Sequence, residues 1–227
     1  MEFIQAFFNV ETIAFSILGY DISWLELVGT IFNLACVILV ARRNIWTWPV
    51  GIIGVVLFGA LFYQINLYAD MIEQVYYLIT GFVGWYMWAR LKKRGDDDKV
   101  AITTNTLRTN IAWVAGLVGA SAITAWALTH VHTWVPVIFP EPAALPVIDA
   151  TTTVMSFAAQ FLMMRRKLES WILWIVVDVV AVWLYWYKDV PFVALLYLIF
   201  LINAVYGLVV WQKAHRTTAA EADEETE

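Results

Sequence analysis

Seven stretches of this chain are apolar for long enough to cross a membrane, near residues 24–41, 47–65, 71–89, 110–129, 146–164, 170–187 and 190–211. Crossing about 30 Å of hydrocarbon takes about 20 helical residues. Hydrophobic residues make up 62% of the chain and charged residues 15%, against about 45–50% and about 25% in soluble domains. These features predict an all-α integral membrane protein with seven transmembrane helices. Its single cysteine, Cys36, lies inside the first span, which excludes an intramolecular disulfide and a cysteine metal site.

The two ends need separate readings. Residues 1–22 carry Phe3, Phe7, Phe8, Ile13, Phe15 and Ile17, interrupted by Gln5, Asn9 and Glu11. No Lys or Arg precedes this run and no small-residue cleavage site follows it, against a signal peptide. It is also short for an eighth span, so an interfacial helix on the membrane surface is expected over 1–22. The acidic run from Glu221 to Glu227 supplies much of the net charge of −5. Residues 213–227 are expected to form a disordered cytoplasmic tail.

Charge sets the orientation. If the seven spans alternate, Arg42, Arg43, Arg90, Lys92, Lys93, Arg94, Lys99, Arg108, Arg165, Arg166, Lys167, Lys213 and Arg216 all fall on one side, and Lys188 alone on the other. The positive-inside rule then places the N-terminus outside and the C-terminus in the cytoplasm of the cell's inner (plasma) membrane.

The spans also repeat. Residues 28–88 align with residues 151–211 without a gap, at an offset of 123, and 13 of the 61 aligned positions are identical, more than unrelated apolar stretches would share. Arg42-Arg43 falls on Arg165-Arg166, Trp48 on Trp171, Gly84 on Gly207 and Trp88 on Trp211. Four spans separate equivalent helices, so the copies share one orientation, related by an axis along the membrane normal. The expected architecture is two parallel three-helix repeats joined by a linker helix (3+1+3). Its parts are a first repeat over 23–91, a basic cytoplasmic loop and linker helix over 92–130, an external loop over 131–145 and a second repeat over 146–212.

Two facing copies enclose a central path, and rocking one against the other gives alternating access. Polar groups inside spans are expensive in lipid and so point to that path. Gln160, Asp178 and Asn203 lie at similar depths toward the cytoplasmic half, by the 1.5 Å rise per helical residue. Gln74, Tyr77 and Thr80 descend the third span from outside, and Asn33 lies at middle depth on the first. Trp174, Asp178 and Tyr185 share one face of the sixth span. A flat ring, above all a cationic one, would stack on such aromatic walls, at about 0.5–2 kcal/mol per contact. Sugar hydroxyls would take the amides and the carboxylate.

Each residue also has a plainer reading. Asp178 could hydrogen-bond a neighbouring helix, and Gln74, Gln160 and Asn203 could be interhelical glue, at about 0.6 kcal/mol each. Asp70 could cap its helix. Trp48, Trp88, Trp171 and Trp211 read as anchors at the membrane edges rather than ligands. Gly51, Gly54 and Gly59 read as sites of close helix contact. His130 and His132 lack further nearby histidines, so a surface loop is expected there rather than a metal site.

The stretch Trp171-Ile-Leu-Trp174, then Asp178, Tyr185, Lys188, Leu196-Tyr197 and Gly207 with Trp211, resembles the second-half signature of the PnuC nicotinamide riboside transporters. The first half is similar through Trp48-Pro49-Val50-Gly51, Leu67-Tyr68-Ala69-Asp70, Gln74 and Gly84-Trp85-Tyr86 with Trp88. The resemblance covers roughly residues 24–213 and implies a SWEET-like 3+1+3 fold, a homotrimer and uptake of nicotinamide riboside by facilitated diffusion. A separate cytoplasmic kinase would trap the product for NAD synthesis. Gln74, Tyr77, Gln160, Trp174, Asp178, Tyr197 and Asn203 are the expected substrate-binding residues, and Asn33, Asp70, Trp183 and Tyr185 the expected gate or pathway. No metal, cofactor or nucleic-acid partner is expected.

Other function classes remain. Relatives carrying thiamine or riboflavin share the architecture. An ion-coupled symporter would use Asp178, the one convincing carboxylate at mid-membrane. No G-x-x-x-x-G-K-[ST] loop is present, which argues against ATP hydrolysis. The chain shows no nucleophile with a base and no paired acids for an enzyme, while a receptor is separated from a carrier by transport assays alone.

Overall fold

The computed structural model describes residues 6–17, 19–65, 68–92, 101–137, 139, 142–187 and 191–224. Lys93, Arg94, Lys99, Glu141, Lys188, Asp189 and Val190 lie outside them. Strands β1 (Ile13–Ile17) and β2 (Tyr20–Ser23) pair as an antiparallel hairpin, in place of the later part of the interfacial helix expected over 1–22; residues 1–5 of that expectation lie outside the described residues. Ile13, Phe15 and Ile17 alternate with small polar or alanine positions, a strand period rather than a helical one. Gly19 takes the positive φ of 81° that the turn requires, and Ser16 hydrogen-bonds Asp21 across it. Tyr20 hydrogen-bonds Glu26 at 2.9 Å; burial first, and this bond second, push its hydroxyl pKa up to about 12.

Seven long helices follow among the described residues: α1 (Trp24–Ala41), α2 (Thr47–Gln64), α3 (Tyr68–Lys92), α4 (Leu107–Trp134), α5 (Pro146–Met164), α6 (Glu169–Tyr187) and α7 (Pro191–Glu224). Six of them, all but α3, contain a segment long and apolar enough to cross a membrane. The expected third span falls on α3, which has 25 residues but carries Asp70 and Glu73 near its start. Helix α4 continues through Trp134, so His130 and His132 are helical; His130 stacks on Trp134 with ring centroids 6.0 Å apart. Helix α7 runs on to Glu224, against disorder over 213–224 of the tail expected at 213–227; residues 225–227 lie outside the described residues. Alanine and glutamate are strong helix formers, and no Gly or Pro interrupts that stretch.

Six helices close a ring. Helix α1 packs on α2, α2 on α3, α3 on α5, α5 on α6, α6 on α7, and α7 back on α1. Helix α4 packs on α5 and buries Ala125, leaving Ile111, Val114, Val118 and Ile123 exposed.

The offset of 123 recurs in the bonding. Arg43 and Arg166 both adopt left-handed backbone, φ 58° and 60°, at the ends of α1 and α5. The amide of Arg43 donates to the Val40 carbonyl and that of Asn44 to Leu39; the amide of Arg166 donates to Met163 and that of Lys167 to Leu162, all at 2.9 Å. This closure satisfies the last carbonyls of each helix and turns the chain sharply into the next. A non-glycine residue in that conformation costs about 1–2 kcal/mol, offset here by two backbone bonds.

Four tryptophans then join the halves. Trp48, Trp88, Trp171 and Trp211 are 5%, 0%, 1% and 0% exposed, so they are core residues and not the membrane-edge anchors expected from sequence. Trp48 meets Trp88 edge-on at 5.3 Å, Trp171 meets Trp211 at 5.5 Å, and Trp88 and Trp211 lie 6.3 Å apart. The Trp88 indole donates to the Met164 carbonyl and the Trp211 indole to the Val40 carbonyl, both at 3.1 Å, so each half reaches into the other. Gly84 and Gly207 make room for this: a Cβ at Gly207 would stand 2.5 Å from Trp171, and one at Gly84 would overlap Trp48.

Candidate functional site: a polar and aromatic layer around Tyr197

Helices α3 and α5 meet along a polar seam. Thr153 Oγ1 donates to Glu73 Oε1 at 3.0 Å. The Tyr76 hydroxyl donates to the Phe157 carbonyl at 2.8 Å, and Tyr77 hydrogen-bonds Ser156. Gln160 Nε2 reaches Thr80 Oγ1 at 3.4 Å, while Thr80 itself donates to the Tyr76 carbonyl at 2.9 Å. Spacings of three and four residues put Glu73, Tyr77 and Thr80 on one face of α3, and Thr153, Ser156 and Gln160 on one face of α5. The seam is thus a row of matched pairs, as buried polar groups require.

Helices α6 and α7 supply an aromatic wall. The rings of Tyr185 and Tyr197 stack at 5.3 Å with 12° between their planes, and Phe200 meets Tyr197 edge-on at 6.1 Å. Asp178 lies two turns from Tyr185 along α6 and is 5% exposed. Tyr197 interacts electrostatically with Asp178 on its neighbour α6 and with Asp70 and Glu73 on α3; Tyr185 does so with Asp70 and with Asp149 of α5. Three helices, α3, α6 and α7, therefore meet around Tyr197, and α5 joins through Asp149 near Tyr185.

The surroundings of Tyr197 have a definite chemical preference. Carboxylates held in a low-dielectric span are costly unless a cation or donors meet them. Flat aromatic faces add to the attraction for a cation through their quadrupoles. Side-chain hydroxyls and the Gln160 amide offer donors and acceptors for a hydroxylated solute.

Tyr77, Gln160, Asp178, Tyr185, Tyr197 and Asp70 from the expected set are brought together here. Gln74 lies on the same helix with Nε2 3.4 Å from the Asp70 carbonyl, and it packs beside Gly59 of α2. Asn33 faces α2 instead, where a Cβ at Gly54 would stand 2.6 Å from its Oδ1. Gly51, Gly54 and Gly59 do serve close helix contact, against Cys36, Asn33 and Gln74. Trp174 packs against the tryptophan core, and Asn203 is half-buried beside Ala204 of that core. Trp183 turns away: it is 55% exposed and stacks on Tyr187 at 5.8 Å.

Comparison with known proteins decides the family. Residues 23–213 match the family model described as nicotinamide mononucleotide transporter. A nicotinamide riboside transporter PnuC from Escherichia coli (strain K12) is 32% identical over 95% of this chain and 98% of its own length. This chain belongs to the PnuC family of membrane transporters. A PnuC from Neisseria mucosa is 32% identical over 84% of this chain and 73% of its own. The riboflavin/roseoflavin transporter RibM of Streptomyces davaonensis is 29% identical over 87% of this chain and 89% of its own. The crystal structure of the vitamin B3 transporter PnuC superposes with a TM-score of 0.63 at 29% identity, covering 86% of this chain and 83% of that one.

Within this PnuC-family layer, Glu73, Tyr76, Asp149, Thr153, Ser156 and Phe157 were not anticipated from sequence. Glu73 had a signal: a second carboxylate within one turn of Asp70, inside the expected third span. Tyr76 and Phe157 had none, because aromatics at helical spacing read as core.

Proposed function

We propose that this chain takes up nicotinamide riboside by facilitated diffusion, as a uniporter working by alternating access. One observation carries the reading: the stacked Tyr185 and Tyr197 rings beside buried Asp178 and the Asp70 and Glu73 carboxylates. A pyridinium ring is flat and positively charged, so it satisfies the aromatic and acidic sides together. The ribose hydroxyls suit Gln160, Ser156 and Thr80, with Gln74 and Asn203 at the margins. Likeness to PnuC over 95% of the chain supports the same substrate.

In this reading residues 23–91 and 146–212 are parallel repeats, with 92–130 the inner loop and linker helix and 131–145 the outer loop. Helix α3 is a seventh span, and the basic residues place the C-terminus in the cytoplasm of the inner membrane. The repeated helix closures and reciprocal tryptophan bonds support the duplication. The copies associate as a homotrimer, for which the bare face of α4 with Gly116 and Gly119 offers surface. A separate cytoplasmic kinase phosphorylates the riboside and keeps the inward gradient.

Likeness to RibM favours one competing reading, riboflavin as the cargo. Calorimetric titration of the detergent-purified protein with nicotinamide riboside, nicotinamide, thiamine and riboflavin separates them. Saturable binding of the riboside alone is expected; preference for riboflavin would reassign the pocket.

A further inference from the structure

The second of the two helix closures is covered by a strap of chain. Against the turn at 165–169 lies a short segment of the α3–α4 connection, residues 101–106. The Thr103 amide donates to the Arg166 carbonyl at 3.1 Å, and the Leu168 amide donates to the Thr103 carbonyl at 3.0 Å. The Arg166 guanidinium donates to the Ala101 carbonyl and Lys167 Nζ to the Thr104 carbonyl, both at 2.9 Å. The Asn105 amide donates to Glu169 Oε1 at 2.7 Å, and His215 Nδ1 of α7 meets the Ile102 carbonyl at 3.2 Å. Every one of these bonds ties the segment to the second half.

Ile102 is the exception. Its side chain is 3% exposed and belongs to the hydrophobic cluster of Val40, Ala41 and Trp88 of the first half and Trp171 and Trp211 of the second. The segment is fastened to one half and inserts a branched apolar side chain into the seam with the other. In the equivalent turn at 42–46, Asn44 Oδ1 accepts from the Trp46 amide at 2.9 Å, within the turn itself.

We propose that residues 101–105 are the inner latch of the transport path and that Ile102 is its plug. The latch rests on the reading of two halves that rock with this end facing the cytoplasm. The strap rides with α5–α7, and the first half opens inward by leaving Ile102 behind. Its hydrogen bonds persist through the cycle, while the packing of Ile102 in the shared cluster, together with the Trp88–Met164 and Trp211–Val40 bonds across the same seam, forms and breaks. Shortening the plug weakens the closed state without touching the substrate layer, so it shifts the balance toward the inward-open state.

The test is a distance between the halves. Cys36→Ala removes the native thiol, and nitroxide labels on Arg42→Cys and Arg165→Cys report the two turns, which are equivalent and exposed. Pulsed electron spin resonance on full-length protein, diluted with unlabelled chain, gives the distance distribution without any ligand. With Ile102 intact the shorter distance should dominate. Ile102→Ala should raise the ratio of longer to shorter distances by about tenfold, and the milder Ile102→Val by less, in protein that still elutes as one species. An unchanged distribution in both variants overturns the latch and leaves Ile102 a packing residue. A Thr103→Cys/Lys167→Cys cross-link, joining bridge partners, should leave the distribution as in uncross-linked protein; suppression of the longer distance would show instead that the strap itself must detach. Because these readouts need no riboside, their failure is distinct from failure of the substrate reading, which uptake in the same protein reports.

Discussion

The two halves of this transporter are alike where they hold each other and unlike where they would hold a solute. Trp48, Gly84 and Trp88 match Trp171, Gly207 and Trp211, and each set builds the same ring-on-glycine contact and the same donation across the seam. At the functional layer the equivalents diverge: Asp178 stands opposite Val55, Gln160 opposite Val37, Tyr197 opposite Gln74, and Asn203 opposite Thr80. On the proposed duplication, both copies meet the same steric limits and so keep their joints. A binding layer for an asymmetric solute must lose the symmetry, since ring and ribose need different partners.

The comparison breaks most readily at the glycines. Gly84→Ala and Gly207→Ala should each destabilise by about 3 kcal/mol through overpacking, and by similar amounts if the joints are equivalent. Thermal unfolding in detergent checks this; tolerance of one but not the other would show that one copy has relaxed. Next come Trp88→Phe, which takes the indole donor from the buried Met164 carbonyl and should cost about 1–3 kcal/mol, and Trp211→Phe, which should cost about 1 kcal/mol because the Val40 carbonyl keeps the Arg43 amide; thermal unfolding measures both.

Substitutions in the functional layer should act on binding rather than on folding. Asp178→Asn should weaken riboside binding about tenfold, or about 1.4 kcal/mol, with the unfolding temperature unchanged, whereas Val55→Ala at the equivalent position should leave binding unchanged. Calorimetry reads both. The smallest effect is expected for Gln160→Leu, about threefold in affinity if its contact is worth about 0.6 kcal/mol; a loss of stability with intact affinity would make it interhelical glue.

The helical framework was legible because apolar length reports directly on bilayer thickness, and the constant offset is the ground on which the proposed duplication rests. The tryptophans were misread for a physical reason. Their position near span ends suits an interfacial belt, and nothing in sequence announces that Gly84 and Gly207 open cavities for Trp48 and Trp171. The hairpin was missed because the apolar content at 13–17 was weighed for length and not for its alternation. At the functional layer, Asp178 and Gln160 stood out as costly groups in lipid. Tyr76, Ser156 and Phe157 join through pairing between α3 and α5, which one sequence does not display.

Uptake of labelled nicotinamide riboside into sealed liposomes containing the purified protein, with proton and sodium gradients collapsed, tests the proposed activity most directly. Saturable entry that continues until the two sides equalise, and that competes with unlabelled riboside, is the expected result. Entry that vanishes when either gradient is removed would contradict facilitated diffusion and make this chain a symporter, with Asp178 the first residue to examine as the coupling group.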